Sequence, residues 1–129
     1  MRARQSGFTL IELVMVIVIL GILAAVAVPR FVDLSSEAKT AAVEGVAGSA
    51  ASAMAINYAG CAALNNVVTA GKCVQVSTCA GVAGLMSGSL PTGYVAAGTD
   101  PGTTNGASST CTITANAITK NFQGIAAGN

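Results

Sequence analysis

From Phe8 to Val28 the chain is apolar for 21 residues, interrupted only by Thr9 and Glu12. A helix of about 20 residues crosses a hydrocarbon core of ~30 Å, so this run predicts a membrane-spanning helix. Beyond it the pattern changes. Val43, Val46, Ala47, Ala50, Met54 and Tyr58 recur at three- and four-residue steps, the spacing of one buried helix face. The two patterns join into one helix over residues 8–60, with 8–28 as its membrane half, 29–60 as its stalk and Gly60 as its C-cap. Such a rod extends for about 78 Å at 1.5 Å per residue, so half of it must pack on something other than its own small domain. Pro29 removes the hydrogen bond to the Ala25 carbonyl and predicts a bend near Ala25 to Pro29. Gly21 adds a weak point of about 1 kcal/mol relative to Ala.

After the stalk the periodicity shortens. Asn65-Asn66 and Ala70-Gly71 mark loops, and Lys72 to Ser77 alternates as a short strand or linker. Ser77 is an N-cap candidate for a helix over 78–87, with Val82, Leu85 and Met86 as its apolar face and Gly88 as its stop. Residues 94–97 predict a strand, residues 110–115 and 117–123 a hairpin turning near Asn116, and residues 98–109 an exposed loop. The fold class is α+β, a long N-terminal helix packed on a small antiparallel sheet, with residues 61–129 as a globular head.

Composition narrows the function. Six Lys and Arg oppose five Asp and Glu, no His is present, and only 9% of the chain is charged. So few scattered cations cannot form the dense face that nucleic-acid phosphates require, and no nucleic-acid contact is expected. Hydrophobic content of 53% excludes a disordered chain. Much of it is small, with 25 Ala and 15 Gly against five aromatic residues, so the head's core must be thin. Without His, and with acids only at Glu12, Asp33, Glu37, Glu44 and Asp100, the head lacks a nucleophilic triad or a carboxylate pair. The chain is not expected to be an enzyme or to hold a cofactor or metal. Asp100 with Asn105 supplies too few carboxylates for tight calcium binding.

Cys61, Cys73, Cys79 and Cys111 all follow the apolar run. An even count in a thin-cored domain beyond a membrane-directing segment predicts disulfides and an oxidising compartment. Zinc is the rival, and the spacing lacks the close cysteine pairs of structural zinc sites.

Glu12 is the residue that an ordinary anchor does not explain. A carboxylate within the span costs about 2.5–3.5 kcal/mol on insertion scales, which calls for a named partner or for snorkelling to the headgroups. No Lys or Arg lies within two turns of it. Cleavage after Gly7 would create a cation, the Phe8 amine, one turn before Glu12, and would remove Arg2 and Arg4. Competing readings are a secretory signal cut after Ala25-Val26-Ala27 and a single-span anchor carrying a periplasmic binding module.

Gly7-Phe8-Thr9-Leu10-Ile11-Glu12-Leu13, after a short basic leader and before the apolar run, resembles the class III signal of type IV pilins and type II secretion pseudopilins. The likeness continues from Gly21 to Phe31, and Phe31-Val32-Asp33-Leu34-Ser35-Ser36-Glu37-Ala38 is similar to pilins of the mannose-sensitive haemagglutinin type. The resemblance covers residues 7 to about 60. It implies that residues 1–7 are a leader removed between Gly7 and Phe8 by a prepilin peptidase, which then methylates the Phe8 amine. It also implies that Glu12 pairs with that amine on a neighbouring subunit, and that the stretch from Gly21 to Pro29 can lose helical form in the filament. The partners implied are further copies of the chain and an inner-membrane assembly platform with its motor ATPase. The precursor would span the inner membrane with its N-terminus cytoplasmic, and the product would be a surface pilus. A type II secretion pseudopilin is the alternative.

The cysteines allow three pairings. Closing Cys61 on Cys73 would pin a loop to the helix end, and Cys79 would then be tied to Cys111 in the hairpin. A Cys61–Cys111 bridge enclosing Cys73–Cys79 is the competing arrangement. Pilins that resemble this chain more typically carry one pair, bracketing the C-terminal region.

Overall fold

In the computed structural model, which describes residues 7–129 apart from the side chains of residues 31–33, the order of elements is helix, short 3-10 helix and three strands. Arg2, Arg4 and the rest of the expected leader before Gly7 lie outside the described residues. Helix α1 is Leu10–Ala63, the 3-10 helix is Cys79–Gly84, and the strands are β1 Val95–Gly98, β2 Ser108–Ala115 and β3 Ile118–Ile125. The α+β class with one long N-terminal helix and a small antiparallel sheet is what the structure shows.

Two compact units divide the chain, residues 1–38 and residues 39–129. The first contains the apolar part of α1. The second contains the rest of α1 and everything after it, so the stalk's last turns belong to the head's own core.

That core forms where the helix stripe meets one sheet face. Val43, Ala47, Ala50 and Met54 are buried along α1, and Cys111, Ile113, Ala115 and Phe122 are buried on β2 and β3. Val82 of the 3-10 helix closes the cluster, with Val46, Leu85 and Met86 half-buried around it. Met54 is the largest fully buried side chain, which shows how little apolar volume the head encloses.

The sheet has the order β1-β2-β3, both pairs antiparallel. Alternation sets its faces: Cys111, Ile113 and Ala115 point to the helix, while Thr110, Thr112 and Thr114 point away. The hairpin turns on Asn116 and Ala117, at φ 52° and 62°. Two consecutive left-handed residues are the signature of the tight turn whose twist matches that of paired strands.

Several expected boundaries move: α1 begins at Leu10 rather than Phe8, and the strands shift by one or two residues from 94–97, 110–115 and 117–123. Helix α1 does not end at Gly60; it continues to Ala63 and is stopped by Asn65 and Asn66, at φ 51° and 59°. Gly60 lies inside the helix for a different reason, because a Cβ there would collide with the Lys72 carbonyl oxygen. The segment over 78–87 is a 3-10 helix of six residues rather than a longer α-helix, and Thr78, not Ser77, sits at its N-cap without a side-chain capping bond. The capping role passes to Asp100, whose Oδ1 accepts the Cys79 N–H at 2.8 Å. The loop containing Asp100 is anchored in this way, and Gly102 N–H also reaches the Ser77 carbonyl at 3.1 Å.

Ala117 bears a side chain in a conformation that costs L-residues roughly 1–2 kcal/mol. Ala117→Gly is therefore expected to stabilise the chain by about 0.5–1 kcal/mol after the added chain entropy of Gly. Thermal unfolding of the two proteins checks this, with an unchanged or lower midpoint counting against the strain.

Candidate assembly site

In the first unit the apolar segment is laid bare. Phe8 is 88% exposed, and Leu10, Ile11, Leu13 and the Val, Ile and Leu residues through Val28 are all exposed. The most apolar 18-residue stretch of α1 has a mean hydropathy of 3.0, and none of it is buried. Isolated exposed apolar residues are ordinary, whereas a contiguous run of this size marks a surface that lipid or protein must cover. The helix is continuous through Gly21 and Pro29.

Glu12 sits in the first turn of α1, where its carboxylate folds back on Thr9. Thr9 N–H donates to Glu12 Oε2 at 2.8 Å and the Thr9 hydroxyl donates to the same oxygen at 2.7 Å, while Glu12 N–H reaches the Thr9 hydroxyl oxygen at 3.4 Å. This is a reciprocal cap of the Thr-x-x-Glu kind, satisfying two of the N–H groups that a helix start leaves unpaired. The Thr9-Leu10-Ile11-Glu12 spacing carries that signal in the sequence, and it is a role for Glu12 additional to any cation pairing. Neither carboxylate bond uses Oε1. Gly7 and Phe8 precede the helix, and a Cβ on Gly7 would meet nothing within 4 Å.

In the second unit the four cysteines are brought together in pairs, Cys61 with Cys73 and Cys79 with Cys111, at Cα separations of 4.6 and 5.6 Å. All four are buried. The first bridge ties the loop after α1 to the helix's last turns. The second joins the 3-10 helix to the central strand, and Gly124 makes room for it, because a Cβ there would strike Cys111 Sγ.

Asn57 is the residue that pattern reading overlooked. Its side chain is nearly buried and makes two bonds to one backbone: Nδ2 donates to the Val74 carbonyl at 2.8 Å, and Val74 N–H donates to Oδ1 at 2.9 Å. The amide takes the place of a neighbouring strand for a segment that the three-stranded sheet does not reach. A polar residue on an otherwise apolar helix face was the available signal. Farther along, Val76 and Ala127 exchange backbone bonds at 2.8 and 3.0 Å, and Asn129 Nδ2 adds a bond to the Val76 carbonyl. The segment after Cys73 is thus held by these hydrogen bonds and a disulfide as well as by Val76, which is buried in the core.

Asn57→Ala would leave the part-buried Val74 N–H and C=O without these partners, at an expected cost of about 1 kcal/mol. Urea unfolding with both disulfides intact measures it, and a loss below the error of the midpoint would show that solvent replaces the amide.

The signature of the prokaryotic N-terminal methylation motif matches residues 2–28. Over 53 residues, 41% of this chain and 46% of the relative, the chain is 60% identical to the major component of the type IV narrow pilus of Thermus thermophilus. Over 83 residues, 64% of this chain and 45% of the relative, it is 42% identical to a type IV major pilin protein of Neisseria gonorrhoeae. It is also 52% identical over 44 residues, 34% of this chain and 31% of the relative, to the type II secretion system core protein G of Pseudomonas aeruginosa. The chain spans less than half the length of each of these curated relatives. No solved structure matches it.

Proposed function

We propose, from the N-terminal methylation motif over residues 2–28 and the likeness to type IV pilins, that the chain is the structural subunit of a type IV pilus-like surface filament. The observation that carries the reading is the bare apolar run from Phe8 to Val28, which the methylation motif overlaps and in which Glu12 is the one acid. In the precursor lipid covers the run, with the N-terminus on the cytoplasmic side. In the filament the same residues of neighbouring copies cover it, through head-to-tail contacts that do not close and so extend indefinitely. The subunit is a structural element rather than a catalyst.

Processing follows from the motif. A prepilin peptidase cuts between Gly7 and Phe8 and methylates the new amine, and an assembly platform with its motor ATPase draws the subunit out of the membrane. The Phe8 amine of one copy pairs with Glu12 of another during that step. Thr9 holds Oε2 meanwhile, so Oε1 is the atom offered to the incoming cation. Gly21 and Pro29 are where α1 is weakest and where it loses helical form when packed among its neighbours. Both disulfides form after export, in an oxidising compartment, and their contribution of about 3 kcal/mol or somewhat more each offsets the thin core. Kinship with the mannose-sensitive haemagglutinin pilins rests on residues 31–38 alone.

The likeness to a type II secretion core protein supports a second reading, a pseudopilin that forms a short transient fibre. Asp100 argues for the pilus, because its carboxylate is engaged as the cap of the 3-10 helix rather than grouped with other acids.

Mass spectrometry of sheared surface material should return a subunit of 122 residues beginning with methylated Phe8. A chain beginning at Val28 would instead mean an ordinary secretory signal. Glu12→Gln separates the two roles of the acid, since the amide oxygen still accepts the Thr9 bonds but carries no charge. Processed, membrane-resident and unassembled Glu12→Gln subunits are expected; pili in normal number would assign Glu12 to capping alone.

A further inference from the structure

The outer edge of β3 has no backbone partner among the described residues. The two-residue turn makes Ala115 and Ile118 a hydrogen-bonded pair, and such pairs alternate along an antiparallel ladder. Ile113 with Lys120 and Cys111 with Phe122 therefore exchange bonds, whereas Thr119, Asn121 and Gln123 turn their N–H and C=O groups away from β2. Thr110, the partner of Gln123, confirms the parity by giving its carbonyl to Thr99 on the opposite side, at 3.3 Å. Among the described residues no hydrogen bond reaches the backbone of Thr119, Asn121 or Gln123. Beyond the strand the same side is closed, since Ala127 exchanges two bonds with Val76.

Proteins usually blunt such an edge with Pro, a bulge or charge. Strand β3 has no Pro, and its eight residues pair with β2 without a bulge. Its one charge, Lys120, is an inward-pointing guard of that kind, and Glu44 offsets it at 3.5 Å. The face turned away from α1 bears Thr119, Asn121 and Gln123 beside Thr110, Thr112 and Thr114, all uncharged.

We propose that β3 pairs with β3 of a second copy, antiparallel, about a two-fold axis at Asn121, joining two heads into one continuous sheet. This inference rests on the filament reading. The register is set by the edge itself. With Asn121 opposite Asn121 and Thr119 opposite Gln123, every free N–H on one strand meets a free C=O on the other, and each Lys120 faces the uncharged Phe122 of the second copy. Sliding the strands toward the turn would set Lys120 beside Lys120. Sliding them the other way would drive the second copy's turn into the segment that holds Val76 against Ala127. An isologous contact cannot relate subunits along one polar helix, so the two copies belong to different filaments and the contact bundles them.

Electron microscopy and low-speed sedimentation of sheared filaments test this. Wild-type filaments are expected in side-by-side bundles. The double variant Thr119→Lys with Gln123→Lys sets Lys opposite Lys at both positions and should release single filaments, because like charges directly opposed destabilise strand pairing. Thr119→Lys with Gln123→Glu alters the same exposed positions but opposes unlike charges, and it should restore bundling that is lost at high salt. Single wild-type filaments, bundles that persist in the Lys/Lys variant, or no restoration in the Lys/Glu variant would each overturn the edge pairing while leaving the filament reading intact. Absence of any wild-type filament would overturn both.

Discussion

An apolar helical surface that its own fold cannot cover is the constraint on which the rest of this molecule depends. From Phe8 to Val28 the large apolar side chains are exposed, and water is a poor solvent for a contiguous surface of that kind. On the proposed function, lipid covers it in the precursor and other copies cover it in the fibre. The same residues serve both because the hydrophobic effect is non-directional and does not distinguish a hydrocarbon tail from a neighbour's leucine. Glu12 is the directional exception. Its cap on Thr9 keeps the carboxylate hydrogen-bonded within one chain, which lowers the difficulty of holding an acid near the start of so apolar a helix.

The head answers a different problem. Its buried residues are mostly Ala, Val and Cys, with Met54, Ile113 and Phe122 as the few larger side chains, so apolar burial alone leaves little margin. Two disulfides, an asparagine that imitates a strand, and an aspartate that caps a 3-10 helix supply the remaining order. These devices hold the loops around the sheet. They also leave β3 with a free edge, because the segment that could have covered it turns away after pairing with Ala127.

What the sequence determined by itself lies where periodicity and local chemistry act over short distances. The helix stripe Val43, Ala47, Ala50 and Met54 is legible because helical spacing places those positions on one side whatever they pack against. The hairpin around Asn116 is legible because a turn residue between two alternating runs has few other conformations. The N-terminal methylation motif over residues 2–28 is legible because its pattern resides in adjacent residues. Tertiary structure decided the rest. Gly60 could not be told from a helix stop, since the carbonyl that forbids a side chain there belongs to Lys72, in another segment. Asp100 could not be assigned to the Cys79 N–H, and Asn57 could not be assigned to Val74, because each bond joins positions 17 or more residues apart whose meeting depends on the packed core. Which edge of the sheet stays open is likewise a property of where chains lie after folding, and local sequence holds no record of it.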